Sequence, residues 1–333
     1  MPYLQIVGGV VLLGTGGEAI VRGAVHLSGR LRISPLFVGL FIVALGTSSP
    51  EFAVSIHAVL EGKADLAVGN VVGSNISNLL FVLPMGALVF PIVCYRNVLQ
   101  RDLVVMLATS GFMIWLSSYG IIGPLQGAFL LGLLGLYILY AFVEEKIRQA
   151  PVGTLQYNLE IQTAHAGDGG ALARHWQGFV ADLAWLIGGA IALYYGSRYL
   201  VDGAVEIAVR LNVSQAMIGL SVVAVGTSLP ELAAVMIASW RRQPEVVVGG
   251  ILGSNIYNSL GVLGATTLAA PVIVNPHFVS FDLWVMLGAA LIVIPFMLTE
   301  WRISRIEAAI LLGLYGVYLY ALFNHLDFSA LGL

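Results

Sequence analysis

Displaced by 180 residues, the chain lies over itself almost without a gap. Gly39 meets Gly219, Gly46 meets Gly226, Pro50 meets Pro230 and Glu51 meets Glu231. Further along, Gly73-Ser74-Asn75-Ile76 meets Gly253-Ser254-Asn255-Ile256, and Asn78 meets Asn258. Pro91 meets Pro271, Asp102 meets Asp282, and Tyr140 meets Tyr320. A copy at a fixed offset means two units of one design, so the unit decides the fold.

The unit is strongly apolar. Hydrophobic residues make up 59% of the 333 and charged residues only 10%, far below the ~25% charged residues of soluble domains. The apolar residues fall in runs of about 20, enough to cross a ~30 Å hydrocarbon layer as helices. In the first half they cover 3–27, 35–60, 66–93, 102–118 and 123–143. In the second they cover 178–205, 214–239, 246–273, 281–299 and 304–324. The first run starts at Tyr3 without a basic leader or a small-residue cleavage site, and is expected to be a retained span.

The expected fold is therefore an all-α polytopic membrane protein with ten transmembrane helices. Residues 1–143 form one five-helix repeat and 178–333 the other, with 144–177 as a polar cytoplasmic linker too short to fold alone. Because five is odd, the second copy enters the membrane from the opposite side. The halves are then related by a two-fold axis in the membrane plane, and matched residues meet near the midplane.

Lysine and arginine orient the bundle. With the N-terminus outside, 12 of the 15 basic residues fall on cytoplasmic connections, leaving Lys63, Arg198 and Arg210 outside. Both termini are then extracytoplasmic. The net charge of −3 gives no footprint for nucleic acid, and no obligatory protein partner is evident. Cys94 is the only cysteine, which excludes an intrachain disulfide and suits plain packing.

Glu51 and Glu231 lie in the middle of otherwise apolar spans. A carboxylate there costs about 2.5–3.5 kcal/mol on insertion scales, so it normally faces a partner or a watery cavity. Pro50 and Pro230 remove a backbone donor just before each glutamate. With Gly46 and Gly226 in the same turn, the helix should break there. Freed carbonyls at Ala44 and Ala224, with the hydroxyls of Thr47, Ser48, Thr227 and Ser228, then offer neutral oxygens beside each carboxylate. That is the all-oxygen environment hard cations such as Ca²⁺ or Na⁺ prefer. No histidine or cysteine cluster suggests zinc or a redox metal, and no cofactor is expected.

The third and eighth spans complete the set. Ser74 and Asn78 share one helix face at i, i+4, as do Ser254 and Asn258. Gly69 with Gly73, and Gly249 with Gly253, form small faces that let helices approach closely. Asn75 and Asn255 point about 100° away from the serine face, where interhelical hydrogen bonding suits them better than ions. Glu18 with Arg22, and Arg198 with Asp202, are read as local i, i+4 ion pairs. His26, His57, His165, Asp168 and His175 are read as isolated.

The paired motifs GTSSPE…GSNISN and GTSLPE…GSNIYN resemble the first and second alpha repeats of the cation/calcium exchanger superfamily, specifically its sodium/calcium exchanger branch. The resemblance covers essentially all ten spans. The branch that exchanges calcium for protons carries different signatures. The resemblance implies a diamond of ion sites and alternating access, with the first and sixth spans sliding across a rigid core. It implies that Glu51 and Glu231 are central Ca²⁺ ligands shared with Na⁺, and that Thr47 and Thr227 add carbonyl or hydroxyl oxygens. Ala44, Ser48 and Ser74 would form one outlying Na⁺ site, Ala224, Ser228 and Ser254 the other. Asn78 and Asn258 would complete the diamond.

Two departures qualify what the resemblance implies. Position 258 is Asn where members of the branch often carry Asp, so the site holds at most two negative charges. The linker also lacks the large calcium-binding regulatory domains of animal exchangers, which points to a prokaryotic plasma membrane. Three other readings use the same residues. They are exchange against H⁺, a cation channel, and an intramembrane hydrolase built on Ser48 or Ser228. An inverted repeat with two broken helices favours alternating access over a pore, and neither serine has a base in its motif.

Overall fold

The computed structural model describes residues 2–94, 99–149, 171–211 and 226–330. Its first element, α1 (Pro2–Leu31), carries glycine every seventh residue, and α7 (Ala171–Arg210) does the same. These glycines let the two helices touch backbone to backbone. A Cβ on Gly9 would lie 2.8 Å from the Gly196 carbonyl, and one on Gly16 would lie 3.0 Å from that of Gly189. As one chain number rises the other falls, so the helices run antiparallel. The contacts are also reciprocal, since the repeat carries Gly9 onto Gly189 and Gly16 onto Gly196.

After α1, Ser34 opens the next helix as an N-cap, accepting from the Phe37 amide with Pro35 in the first turn. This span is two pieces, α2 (Pro35–Thr47) and α3 (Ser49–Leu60), bent by 43° at the break. Then follow α4 (Ala64–Val89), β1 (Ile92–Val93), α5 (Leu99–Leu103 running into Val104–Ser117), β2 (Ile121–Ile122) and α6 (Pro124–Gln149). Beyond α7 come α8 (Leu229–Trp240), α9 (Pro244–Ala269), β3 (Val272–Ile273), α10 (Phe278–Trp301), β4 (Arg302–Ile303) and α11 (Arg305–Ala330). Both α4 and α9 carry a π-helical turn directly after the Gly-Ser-Asn-Ile motif, at Asn78–Val82 and Tyr257–Val262.

Among the described residues, seven helices are long and apolar enough to cross a membrane, and the bent α2–α3 pair makes an eighth. The other two expected spans correspond to the shorter α5 and to α8, the earlier part of whose segment lies outside the described residues. The centre is α9, whose apolar window is fully buried, followed by α4 at 72%; α7 and α11, at 22% and 11%, lie outermost. Leucines and isoleucines on the outer helices, such as Leu125 and Ile306, are exposed, as a lipid-facing surface requires.

The short strands tie the halves together. β1 pairs with β4 and β2 with β3, both antiparallel. The repeat carries β1 onto β3 and β2 onto β4, so one pairing becomes the other, as a two-fold axis demands. At one end of α4, Asp65 accepts from Asn275 Nδ2 and Val274 N–H donates to the Gly120 carbonyl. At the other end, about 39 Å away for 26 residues of helix, Arg305 donates to the Leu88 and Val89 carbonyls and Arg242 covers the Phe90 ring. Matched connections therefore sit at opposite ends. These are the Lys63 end and the Arg241 end of the bundle.

Candidate functional site

The α2–α3 break places Glu51 in the first turn of α3, and the matching turn places Glu231 in the first turn of α8. Ser48 and Ser228, at the breaks, have nearly identical backbone angles (φ −82, ψ 4 and φ −86, ψ 3). Both glutamates are fully enclosed, at 0% and 3% exposure. They interact with each other across the interface between the halves.

The hydroxyls sort themselves across that interface. Ser48 Oγ donates to Glu231 Oε1 at 3.1 Å, and Thr47 also reaches Glu231. Ser74 instead lies against Glu51. Ser228, Ser254, Asn78 and Asn258 are all buried, at 0–1% exposure, and Thr227 lines a cavity together with Ser74. Ala224 lies outside the described residues.

One sequence expectation is corrected. The Ala44 carbonyl is not freed by the break, because it accepts from the Ser48 amide at 2.9 Å and from the Thr47 hydroxyl at 3.3 Å. Pro50 deletes the donor to Gly46, and the Ser49 hydroxyl fills that place at 2.8 Å.

The enclosed polar atoms define what the pocket can hold. Both Glu51 oxygens, Glu231 Oε2, the Ser228 and Ser254 hydroxyls and both side-chain amides of Asn78 and Asn258 have no hydrogen-bond partner. An unmade bond at a buried polar group costs about 1–3 kcal/mol, and three of the four carboxylate oxygens are among the groups left without one. Hard cations would satisfy the oxygens among them, while the Asn78 and Asn258 Nδ2 groups are donors that need acceptors instead. Among the described residues no group of three or more His, Cys, Asp or Glu forms a transition-metal cluster.

Several supporting residues have no signal in the duplication. Asn70 donates to the Glu51 carbonyl at 3.3 Å and to the Ser55 hydroxyl at 2.9 Å, fastening α3 to α4. Its repeat counterpart is Gly250. Asn75 bonds across helices as expected, donating to Ser259 Oγ at 3.0 Å, but Asn255 donates to the Ile251 carbonyl of its own helix. Gly249 and Gly253 meet α2 closely, whereas a Cβ on Gly73 would touch nothing within 4 Å. The expected close approach at Gly69 and Gly73 is replaced by a cavity.

That cavity, of about 340 Å³, reaches from Asp65 and His277 at the Lys63 end inward to Ser74 and Thr227. The repeat-related position, lined by Val43, Thr47, Glu231 and Gly250, keeps only about 10 Å³. Two histidines read as isolated are in fact paired. His26 lies 3.6 Å from Asp182 and His57 lies 3.0 Å from Glu61. His165 and Asp168 lie outside the described residues.

A polytopic helical membrane protein with two buried glutamates, one from each of two related halves, and further buried polar side chains without partners is what the fold and site define. Comparison with known proteins narrows this. Residues 1–143 and 182–324 match the family described as Sodium/calcium exchanger protein, and the chain belongs to that family. It is 36% identical over 323 residues to the putative antiporter CaxA of Alkalimonas amylolytica, covering 95% of this chain and 97% of that one. It is 29% identical to the sodium/calcium exchanger MaX1 of Methanosarcina acetivorans, covering 96% and 98%. Its structure is similar to that of the sodium-calcium exchanger NCX_Mj soaked with 10 mM Na⁺ and zero Ca²⁺, with a TM-score of 0.80, 26% identity and coverage of 96% and 98%.

Proposed function

We propose that this protein is a secondary antiporter that exchanges Ca²⁺ for Na⁺ across a cell membrane by alternating access. One observation carries this reading. Two buried carboxylates from opposite halves, with oxygens lacking partners, lie at the seam between a cavity of about 340 Å³ at one end and its repeat, filled to about 10 Å³, at the other. A channel would need both ends open together; a carrier needs one closed.

In this reading Glu51 and Glu231 are the central ligands. Thr47, Thr227, Asn78 and Asn258 complete the middle of the site, and Ser48, Ser74, Ser228 and Ser254 serve the flanking Na⁺ positions, with Ala44 and Ala224 beside them. Two carboxylates balance one Ca²⁺ or two Na⁺. A third Na⁺ would leave a positive site held by carbonyl dipoles. The protein then has ten spans, arranged as the repeats 1–143 and 178–333 around the linker 144–177. Arg241, Arg242, Arg302 and Arg305 gather at one end, which the positive-inside rule places in the cytoplasm. The cavity then opens outward and both termini are extracytoplasmic.

The test is uptake of radiolabelled Ca²⁺ into proteoliposomes, with an outward Na⁺ gradient imposed separately from a pH gradient. Uptake driven by the Na⁺ gradient alone is expected. Uptake that follows only the pH gradient overturns the assignment in favour of H⁺ exchange.

A further inference from the structure

An ion pair joins the two halves at the Arg241 end, and its repeat counterpart has every charge reversed. Glu18 of α1 accepts from Arg241, which caps α8, with Nε to Oε2 at 3.1 Å. Arg22, one turn along α1, reaches Glu18 Oε1 at 3.0 Å. The 180-residue offset carries Glu18 to Arg198, Arg22 to Asp202 and Arg241 to Glu61. A local i, i+4 pair would explain inversion of the first two signs. It gives no reason for the third, on a different helix, to invert with them. The complementarity of the whole trio is what the duplication preserves.

The second trio is not joined in this structure. Among the described residues Arg198 pairs only with Asp202, at 4.0 Å. Glu61, capping α3, is held instead by Lys63 at 2.7 Å and by His57 at 3.0 Å. Lys63 keeps the Glu61 carboxyl below its ordinary pKa range, so the charge is present but occupied locally. This difference runs with the packing. At the Arg241 end α1 lies directly on α8, where a Cβ on Gly17 would come 3.0 Å from the Ala233 carbonyl, and the cavity is filled to about 10 Å³. At the Lys63 end the cavity is open.

Building on the alternating-access reading, we propose that Glu18–Arg241 and Arg198–Glu61 are alternate latches, each made when its own end of the bundle is shut. Exchanging the roles of the halves turns the present arrangement into one open at the Arg241 end. In that state Arg198 stands to Glu61 as Glu18 now stands to Arg241, and α7 lies on α3 as α1 now lies on α8. Each latch biases the equilibrium modestly, since both partners are partly exposed (54% and 29% for Arg241 and Glu18). A modest bias suits a carrier that must release it every cycle.

The experiment uses the full chain with Glu61→Cys and Arg198→Cys, Cys94 being buried. The 61–198 disulfide is quantified by mass spectrometry of the linked peptide. Adding Arg241→Gln should raise its yield about two- to fivefold, the range for an exposed ion pair. Arg22→Gln, which spares the cross-half pair, should leave it unchanged. Writing the second trio into the first with Glu18→Arg, Arg22→Asp and Arg241→Glu should return the yield to its starting value. Absence of the 61–198 disulfide under Na⁺, Ca²⁺ or neither overturns the proposal, as does a yield indifferent to Arg241→Gln. The readout needs no exchange activity. Cross-linking without Na⁺-driven uptake would therefore overturn the assigned ions and leave the latches standing.

Discussion

The Gly-Ser-Asn-Ile helices of the two halves carry the same motif in opposite surroundings. On α9, a Cβ at Gly253 would meet the Leu40 carbonyl of α2, and one at Gly249 would come 2.5 Å from that of Leu36. On α4, Gly69 and Gly73 instead line the wall of the 340 Å³ cavity. The glutamates beside the two helices are equally buried, and the helix breaks before them have the same geometry. The glutamates and the breaks before them are thus symmetric, and access to them is not. One small-residue face serves as a sealed interface at one end and a water-accessible wall at the other. In a carrier, these are two stages in the life of one interface.

The largest expected effect tests the symmetric part. Glu51→Gln and Glu231→Gln should each reduce Na⁺-driven Ca²⁺ uptake to background while the protein still folds, since the amide keeps the volume and removes the charge. Purification with an unchanged elution profile checks the fold. Exchange surviving in one mutant and lost in the other would break the equivalence of the halves. The residue with more activity left would then be a flanking rather than a central ligand.

The next test concerns a pair that the duplication no longer keeps alike. Asp102, fully buried, is forked by Arg101 (Nε to Oδ1 at 2.5 Å) and accepts from Tyr137 at 2.7 Å. Arg101 also binds Glu144 at 3.0 Å. At the matching Asp282 the arginine is replaced by Phe281, and Tyr318 and His277 lie at 3.3 and 3.5 Å, beside the cavity. Arg101→Gln strands a buried charge and should lower unfolding stability by about 3–5 kcal/mol. Asp282→Asn keeps an acceptor for Tyr318 and should cost about 1 kcal/mol. Thermal unfolding in detergent compares the two, and equal losses would show that Asp282 is as firmly locked as Asp102.

What the sequence made legible follows from the duplication. Gly46, Pro50 and Glu51 stand in the same order as Gly226, Pro230 and Glu231, so the break and its buried acid could be read twice and trusted. Ser74 and Asn78 are singled out by the same doubling. Asn70 and Ser259 were not, because their counterparts are Gly250 and Leu79, and a residue present in one half leaves no mark in an alignment of the halves. The crossing of Ser48 to Glu231 was hidden for another reason. Neighbours in sequence suggest partners in space, but the break turns Ser48 toward the other half. The occupied Ala44 carbonyl is a related case: removing one amide donor does not free an oxygen that other donors can reach. Nor can one motif, written twice, announce which copy is packed and which is open.

That last difference yields the finest test. Gly253→Ala puts a methyl group against backbone of α2 that has no flexible side chain to yield, so it should destabilise by about 1–3 kcal/mol as an overpacked interface. Gly73→Ala meets open space, and replacing glycine within a helix should stabilise this state by about 0.5–1 kcal/mol. Thermal unfolding should therefore move in opposite directions for two residues that the repeat makes equivalent. Transport adds what stability alone cannot show. If the α4 face must close as the α9 face now does, Gly73→Ala should slow Na⁺-driven Ca²⁺ uptake despite its greater stability, because the methyl group obstructs the state not seen here. Uptake by Gly73→Ala at the unsubstituted rate would mean that the open face never seals through its glycines, and the cavity would then have to close by another set of contacts.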